Sequence, residues 1–320
     1  MTVLCVGQAV ADVVVRPVSR LPVCGRADLV EELDLLSGGC AANTAAVLAQ
    51  LGVDTRLAAV IGQDILGDAV LADLKTAGVC LEAVTRVAAA PTTATLVLVA
   101  PNGDRSFLYR SGGTDLLANH HLPDAVLKGA SVLHVGGALK LVKLDLAELF
   151  QRAKAFGCVT SLDTDWDVHG NWMRRLEGAL PKLDYLLTNE EEAAMLTGWP
   201  TPRDAARDLL AGGPQAVVVK RGAFGALLAT RSGCTELPAF SVEVRDTTCA
   251  GDSFAAGFLF GITRGRALEE SLRLGNAAGA LCTTQISHRA ITSFNDLQRL
   301  VDAQPLAPTR DPRPLTLNQT

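Results

Sequence analysis

Short apolar, β-branched runs alternate along the chain with longer segments whose apolar positions recur at helical spacing. Val3 to Gly7 and Val13 to Val15 read as strands, followed by polar turns around Pro17 to Arg26. Ala42 to Leu51 reads as a helix and Thr55 to Val60 as a strand. Ile65 to Gly78 repeats Leu66, Val70, Leu71 and Leu74 at helical spacing and ends on a glycine stop. Thr92 to Val99 and Ser106 to Arg110 are strands joined by the turn signal Pro101-Asn102-Gly103-Asp104.

From there the rhythm is regular. Strands Val132 to Val135, Val159 to Leu162 and Tyr185 to Thr188 precede helices Leu141 to Phe156, Asn171 to Leu180 and Glu190 to Thr197. Strands Ala216 to Lys220 and Leu227 to Ala229 follow, then helices Ser253 to Thr263, Leu268 to Thr283 and Phe294 to Asp302. Strand–helix alternation at this spacing predicts an α/β fold with a largely parallel sheet and helices on both faces. The segments near 8–35 and 90–112 break the rhythm and are expected to form a small separate β-sheet, a lid. Residues 1–303 are expected to make one domain; the tail 304–320, with Pro305, Pro308, Pro312 and Pro314, is expected to be loose.

Composition narrows the class. With 48% hydrophobic and 20% charged residues the chain is a globular, soluble type, and its net charge of −5 argues against a nucleic-acid partner. No run approaches the length of apolar sequence that spans a membrane. The N-terminus lacks a basic leader, and Asp12 interrupts its apolar run, so it reads as a first strand. Eight scattered cysteines without a C-x-x-C pair fit a reduced, cytoplasmic protein, and no histidine has metal-ligand spacing.

The chemistry concentrates in Asp246-Thr247-Thr248-Cys249-Ala250-Gly251-Asp252, ahead of the apolar helix. Small residues there let backbone N–H groups of a helix N-terminus approach an anion, and Asp252 would stand beside it as a base. An ordinary acidic cap is the alternative. Ser37-Gly38-Gly39-Cys40-Ala41-Ala42-Asn43 permits close backbone approach with Asn43 in the next helix's first turn; a plain tight turn would look the same. Asp12 could accept hydroxyl hydrogen bonds or punctuate a turn. Asn189-Glu190-Glu191-Glu192 suits a helix dipole and could also orient the waters of Mg²⁺.

In combination, Gly38-Gly39…Asn43, Asn189…Glu192 and Asp246-Thr247…Ala250-Gly251-Asp252 resemble the PfkB (ribokinase-like) carbohydrate kinase family in order and spacing. Gly7…Asp12, the run Ile61 to Asp68, and Gly222…Gly225 extend the resemblance over about residues 3 to 300. The resemblance implies a Rossmann-like three-layer αβα body with a β-sheet lid, and an ATP- and Mg²⁺-dependent phosphotransferase. Asp252 resembles the catalytic base, with the N–H groups of Cys249, Ala250, Gly251 and Asp252 as the anion hole. Asp12, Gly38, Gly39 and Asn43 resemble the sugar binders. Asn189 and Glu192 resemble the phosphate and Mg²⁺ positioning pair, Glu192 acting through water. Gly222, Gly225 and Asn276 would line the nucleotide side, and the loop at Asp246 would sit by a monovalent cation such as K⁺. A homodimer through the lid is a further expectation.

Three departures stand out. Cys249 replaces a customary glycine, which matters if that position needs φ > 0. The segment Thr284 to Ala290 lacks the usual Pro-Gly-Ala, and Lys220-Arg221 replaces the usual Thr-Leu, adding phosphate-side charge or merely ending a strand. Arg110 could pair with a carboxylate on an acidic sugar. Asp163-Thr164-Asp165-Trp166-Asp167 would repel one, so a neutral sugar is the expected acceptor. A nucleoside kinase, disfavoured by 4% aromatic content, and a catalytically silent homologue are the alternatives.

Overall fold

The computed structural model describes residues 1–101, 104–285 and 291–305, and the backbone of 309–311. In chain order it contains β1 (Thr2–Gly7), β2 (Val10–Arg16), β3 (Glu32–Gly38), α1 (Cys40–Gln50), β4 (Asp54–Ala58), β5 (Val60–Gly62) and α2 (Ile65–Thr76). Then come β6 (Thr85–Val87), β7 (Ala94–Val99), β8 (Arg105–Arg110), the single turn α3 (Asp124–Leu127), β9 (Val132–Gly136), α4 (Leu146–Ala155) and β10 (Val159–Asp163). The middle continues with the single turn α5 (Met173–Leu176), β11 (Tyr185–Asn189), α6 (Glu190–Thr197), α7 (Pro202–Ala211) and β12 (Ala216–Lys220). It closes with β13 (Ala226–Thr230), β14 (Gly233–Leu237), α8 (Ala250–Thr263), α9 (Leu268–Cys282), α10 (Phe294–Ala303) and β15 (Thr309–Asp311).

The central sheet has the order β15-β14-β13-β12-β11-β10-β9-β1-β4. Its strands are parallel from β4 to β12, and β13, β14 and β15 add an antiparallel edge. The body of the sheet is thus largely parallel, as the alternation predicts, and the edge makes it mixed: β13 follows β12 after a short turn, too short for a crossover. Residues 309–311 belong to that edge, a strand inside a tail expected to be loose.

Two apolar layers cover the sheet. One joins Ala45, Leu48, Phe258 and Leu272 from α1, α8 and α9; the other joins Leu149, Phe150, Leu196 and Leu209 from α4, α6 and α7. The odd segments meet in a separate sheet of order β3-β2-β7-β8, the lid. The helix expected over Asn171 to Leu180 shrinks to α5. Asp167 explains this: its carboxylate accepts the N–H groups of His169 (2.8 Å) and Trp172 (2.5 Å) and holds the chain in turns. Conversely, α7 and β14 are absent from the pattern reading, although Thr201 caps α7 and Pro202 opens it. The Asn102–Gly103 turn centre and positions 286–290 lie outside the described residues.

Candidate active site

In a parallel sheet the carboxyl ends of the strands share one edge, and ligands bind there beside a change of strand order. Here β1 leads to β4 on one side and β9 lies on the other. Along that edge stand Asp163 at the end of β10, Asn189 at the end of β11 and Lys220 at the end of β12. The start of α8 faces them from the helical layer.

Asp252 is the third residue of α8, where N–H groups have no preceding carbonyl to bind. Asn43, buried in the first turn of α1, donates from Nδ2 to Asp252 Oδ2 at 2.8 Å, and Thr44 Oγ1 donates to the Asp252 carbonyl at 3.2 Å. The Oδ1 of Asn43 is buried without a partner among the described residues. An amide fixed at one end with a spare acceptor at the other suits a ligand hydroxyl. Burial pushes the Asp252 carboxyl up to about 7; the Asn43 bond opposes this, Asp163 adds to it and Lys220 opposes it. Such a group is both ionised and basic near neutral pH.

Gly39 caps α1 at φ +93°, and a Cβ there would stand 2.7 Å from the Gln8 carbonyl oxygen. At Gly38 a Cβ would overlap the Asp12 carboxylate. Gly38 thus brings backbone against Asp12, and Gly39 brings it against Gln8. Burial pushes Asp12 up to about 6, opposed by a Thr95 hydroxyl bond and by Lys140. Asp12 pairs across the lid with Leu36 and Thr95, and Thr95 with Tyr109, so this row shares one face. Tyr109 lies within electrostatic reach of Lys140, Asp165 and Cys40, which identifies the inner face. Lys140 Nζ pairs with Asp165 Oδ2 at 2.8 Å, and Cys40 Sγ–H points to the same oxygen at 3.4 Å.

Arg110 does not join this group. It is the next residue after Tyr109, so the pleat turns it to the outer face, where Nη2 donates to the Thr92 carbonyl at 2.7 Å.

Lys220 sits between the acidic groups. Its Nζ is 2.6 and 2.7 Å from the two oxygens of Asp163, and 3.4 Å from where a Cβ on Gly251 would lie. Burial works against the ammonium charge, but Asp163 and Glu192 outweigh it and hold its pKa above the ordinary value. Arg221 instead pairs with Glu190 at 2.8 Å and Glu236 at 2.9 Å, away from this cluster. Glu192 is buried; its Oε2 accepts Thr164 Oγ1–H at 2.5 Å and the Asn189 N–H at 3.2 Å. Asn189 Oδ1 accepts the Glu192 N–H at 2.8 Å, so the two form a capping box as well as a candidate phosphate pair. Burial pushes the Glu192 carboxyl up, with Lys220 opposing.

Next to the α8 start lies a cavity of ≈ 570 Å³ lined by Lys220, Gly222, Gly225, Ala250, Gly251 and Asn276, among others. Asn276 spends its amide on the Leu237 and Pro238 carbonyls at 3.3 and 3.2 Å, shaping the wall. Cys249 caps α8 with φ 62°, the left-handed region, so the position does carry the positive φ that a glycine adopts freely.

The loop at Asp246, where the resemblance implies a monovalent cation, is held by a guanidinium and by its own threonine. Asp246 Oδ1 accepts the Thr248 N–H (2.7 Å), the Thr248 hydroxyl (2.6 Å) and Arg105 Nη1 (3.0 Å). A guanidinium already supplies the positive charge, and that oxygen is filled. Sequence reasoning leaves out Lys140 and Arg105 as site residues, and reads Asp163 and Asp165 only as charge that would repel an acidic sugar. Asp163 and Asp165 carried one available signal, an acidic pair just after a strand at the carboxyl edge of a parallel sheet.

The family model for pfkB family carbohydrate kinases matches residues 2–293. An ATP-dependent ribose-1-phosphate kinase of Halopiger xanaduensis is 32% identical over 281 residues, 87% of this chain and 90% of that protein. A cytidine kinase of Thermococcus kodakarensis is 43% identical over 103 residues, 31% of this chain and 37% of that protein. The Arabidopsis thaliana ribokinase, solved with ribose and ATP, superposes with a TM-score of 0.81 at 25% identity, covering 93% of this chain and 98% of that one. The α8 start with its aspartate, the glycine pair beneath the lid and a match across nearly the whole chain agree, and the chain belongs to the pfkB family of carbohydrate kinases.

Proposed function

We propose that the protein transfers the γ-phosphoryl group of ATP to a hydroxyl of a small neutral sugar, with Asp252 as general base. The acceptor oxygen would bond to the γ-phosphorus as its proton passes to Asp252, and the bond to the bridging oxygen would break, releasing ADP. The observation that carries this is Asp252 itself: pushed up to about 7 in the first turn of α8, held by Asn43, beside a cavity of ≈ 570 Å³. First-turn N–H groups at 249–252 and the Lys220 ammonium would meet the charge on the transferring group.

Among the described residues no group of three or more His, Cys, Asp or Glu could hold a metal ion. Mg²⁺ keeps several waters and would arrive with the nucleotide phosphates. Glu192 would hold it through water, with Asp163 nearby, and it would neutralise phosphate charge. We propose that K⁺ is not required, since Asp246 Oδ1 already takes three donors, one of them Arg105. Turnover should therefore be equal with and without K⁺.

The neutral acceptor is supported by charge. Asp12 and Asp165 face the acceptor side, Lys140 is spent on Asp165, and Arg110 is turned away. A nucleoside is the second reading, supported by Tyr109 and Phe107, which alternate onto the inner lid face at 50% and 56% exposure. The outer lid face presents Leu33 (66% exposed) and Leu108 (61% exposed), and we propose that a second copy covers it. Sedimentation would detect the resulting dimer. Among the described residues no helix is long and apolar enough to cross a membrane, and we place the enzyme in the cytoplasm, where ATP is supplied.

The test is ADP release from Mg-ATP across neutral sugars, sugar acids, sugar phosphates and nucleosides, with and without K⁺. One strong neutral-sugar responder supports the proposal. Turnover confined to nucleosides or anionic sugars would replace the acceptor class. ATP binding without turnover on any acceptor would favour a silent homologue.

A further inference from the structure

Arg105 opens β8 and shares its inner face with Phe107 and Tyr109, four residues from the Tyr109 ring. Its guanidinium does not stay in the lid. It crosses to the body of the protein, where Nη1 meets Asp246 Oδ1 at 3.0 Å and the Thr248 hydroxyl, and Nη2 meets the Thr247 hydroxyl. The Arg105 and Asp246 side chains are only 22% and 13% exposed, so this contact is largely withdrawn from water.

What it grips is the turn that leads into the anion hole. Asp246 Oδ1 also accepts the N–H and hydroxyl of Thr248, fixing the backbone directly before Cys249 and its left-handed φ of 62°. On the other side the turn is tied to the end of α9. The N–H groups of Arg245 and Asp246 donate to the Thr283 carbonyl at 2.7 and 3.1 Å, and Cys282 Sγ–H points to the Thr248 carbonyl at 3.3 Å. One flank of the turn thus belongs to the body, and Arg105 brings the other flank under the control of the lid.

We propose that Arg105 is a lid-borne positioning residue: by docking on Asp246-Thr247-Thr248 it sets the turn that aims the N–H groups at 249–252. The anion hole is then fully formed only while the lid is down over the acceptor. On this proposal Arg105 acts through the turn and not by contact with acceptor or phosphate. A planar guanidinium suits this task, since two of its nitrogens address three side chains at fixed angles, which an ammonium cannot do. The inference rests on the kinase reading above, because it gives the 249–252 turn a phosphoryl group to meet.

The experiment compares the full-length wild type with Arg105→Ala and Arg105→Lys. Backbone hydrogen exchange is measured on each protein without ligands, Mg-ADP affinity by calorimetry, and kcat and KM on the strongest acceptor of the panel. Arg105→Ala should exchange on the order of tenfold faster at 246–252 and along β8. Its Mg-ADP affinity should stay within about twofold of wild type, while kcat falls about 10- to 100-fold with acceptor KM little changed, as expected for a misplaced catalytic turn. Arg105→Lys, which keeps the charge without the fork, should recover part of both effects. Unchanged exchange at 246–252 in Arg105→Ala would overturn the proposal, and so would a loss confined to acceptor KM, which would make Arg105 a direct acceptor ligand. The exchange comparison needs no acceptor, so it decides the latch even if no acceptor turns over. If Arg105→Ala does not fold, Arg105→Lys against wild type carries the same comparison.

Discussion

Replacing Asp252 with Asn separates the proposed base from everything else at the start of α8. The substituted amide keeps an oxygen that can accept from Asn43 Nδ2, which now bonds Asp252 Oδ2 at 2.8 Å, so the local geometry has no reason to change. What disappears is a proton acceptor, and general-base catalysis is worth about 10²- to 10⁴-fold in rate. In the wild type the rate should rise with pH until Asp252 has lost its proton near pH 7 and then level off. The variant should show only a low, flatter residue of activity.

Stability supplies an independent reading of the same carboxyl. Burial raises the folded-state pKa to about 7 from an ordinary value of 3.8, so the folded chain binds this proton more tightly than the unfolded chain does. The carboxylate therefore opposes folding by an amount that is absent below the unfolded value, grows as pH rises and is complete above about 7. The full shift would correspond to about 4 kcal/mol, and screening by solvent in an open crevice reduces that to about 1–2 kcal/mol. Asp252→Asn should be more stable than wild type by that amount at pH 8 and equal to it near pH 4, by urea denaturation monitored at both pH values. Wild-type-like turnover in the variant would remove Asp252 from the mechanism, and a stability gain independent of pH would refute the buried-carboxylate reasoning.

Three further perturbations probe the surrounding residues. Lys220→Met leaves Asp163 buried without its partner at 2.6 Å and should lower unfolding free energy by about 3–5 kcal/mol in a urea titration; a loss below about 1 kcal/mol would mean that the pair is solvated. Cys249→Gly removes a side chain from a left-handed position and should relieve about 1 kcal/mol of backbone strain, read as a raised unfolding midpoint with activity kept. Asp12, pushed up to about 6, should lose its hydroxyl-accepting charge as pH falls through that value, so acceptor KM rises while the KM for ATP stays level; parallel changes in both constants would assign the titration elsewhere.

The parts of the site legible in the sequence are those whose chemistry is local. Asp252 with its small neighbours, and Asn43 behind Gly38-Gly39, each lie within one strand-to-helix or loop-to-helix passage, and spacing along the chain is spacing in the structure. The lid was also legible as two segments that broke the rhythm, although the four-stranded order β3-β2-β7-β8 and the pleat that sends Arg110 outward were not. Arg110 shows why: an arginine next to a tyrosine in a strand looks available until the register assigns the tyrosine to the inner face and the arginine to the outer one.

Lys220 shows how a local reading and a distant one combine. At a strand end, in sequence alone, it is either added phosphate-side charge or an exposed terminus, and Asp163 is an obstacle to anionic substrates. Three parallel strands in the order β10-β11-β12 bring the two within 2.6 Å although 57 residues separate them. Each then changes the meaning of the other. Lys220 offsets the acidity that Asp163, Asp165, Glu192 and Asp252 concentrate at one sheet edge, and Asp163 fixes the ammonium beside Gly251, where transferring phosphate charge would develop. Without that pairing four carboxyl groups would crowd the proposed anion-binding turn; with it, the edge keeps the proposed base, Asp252, near neutrality and a cation beside it.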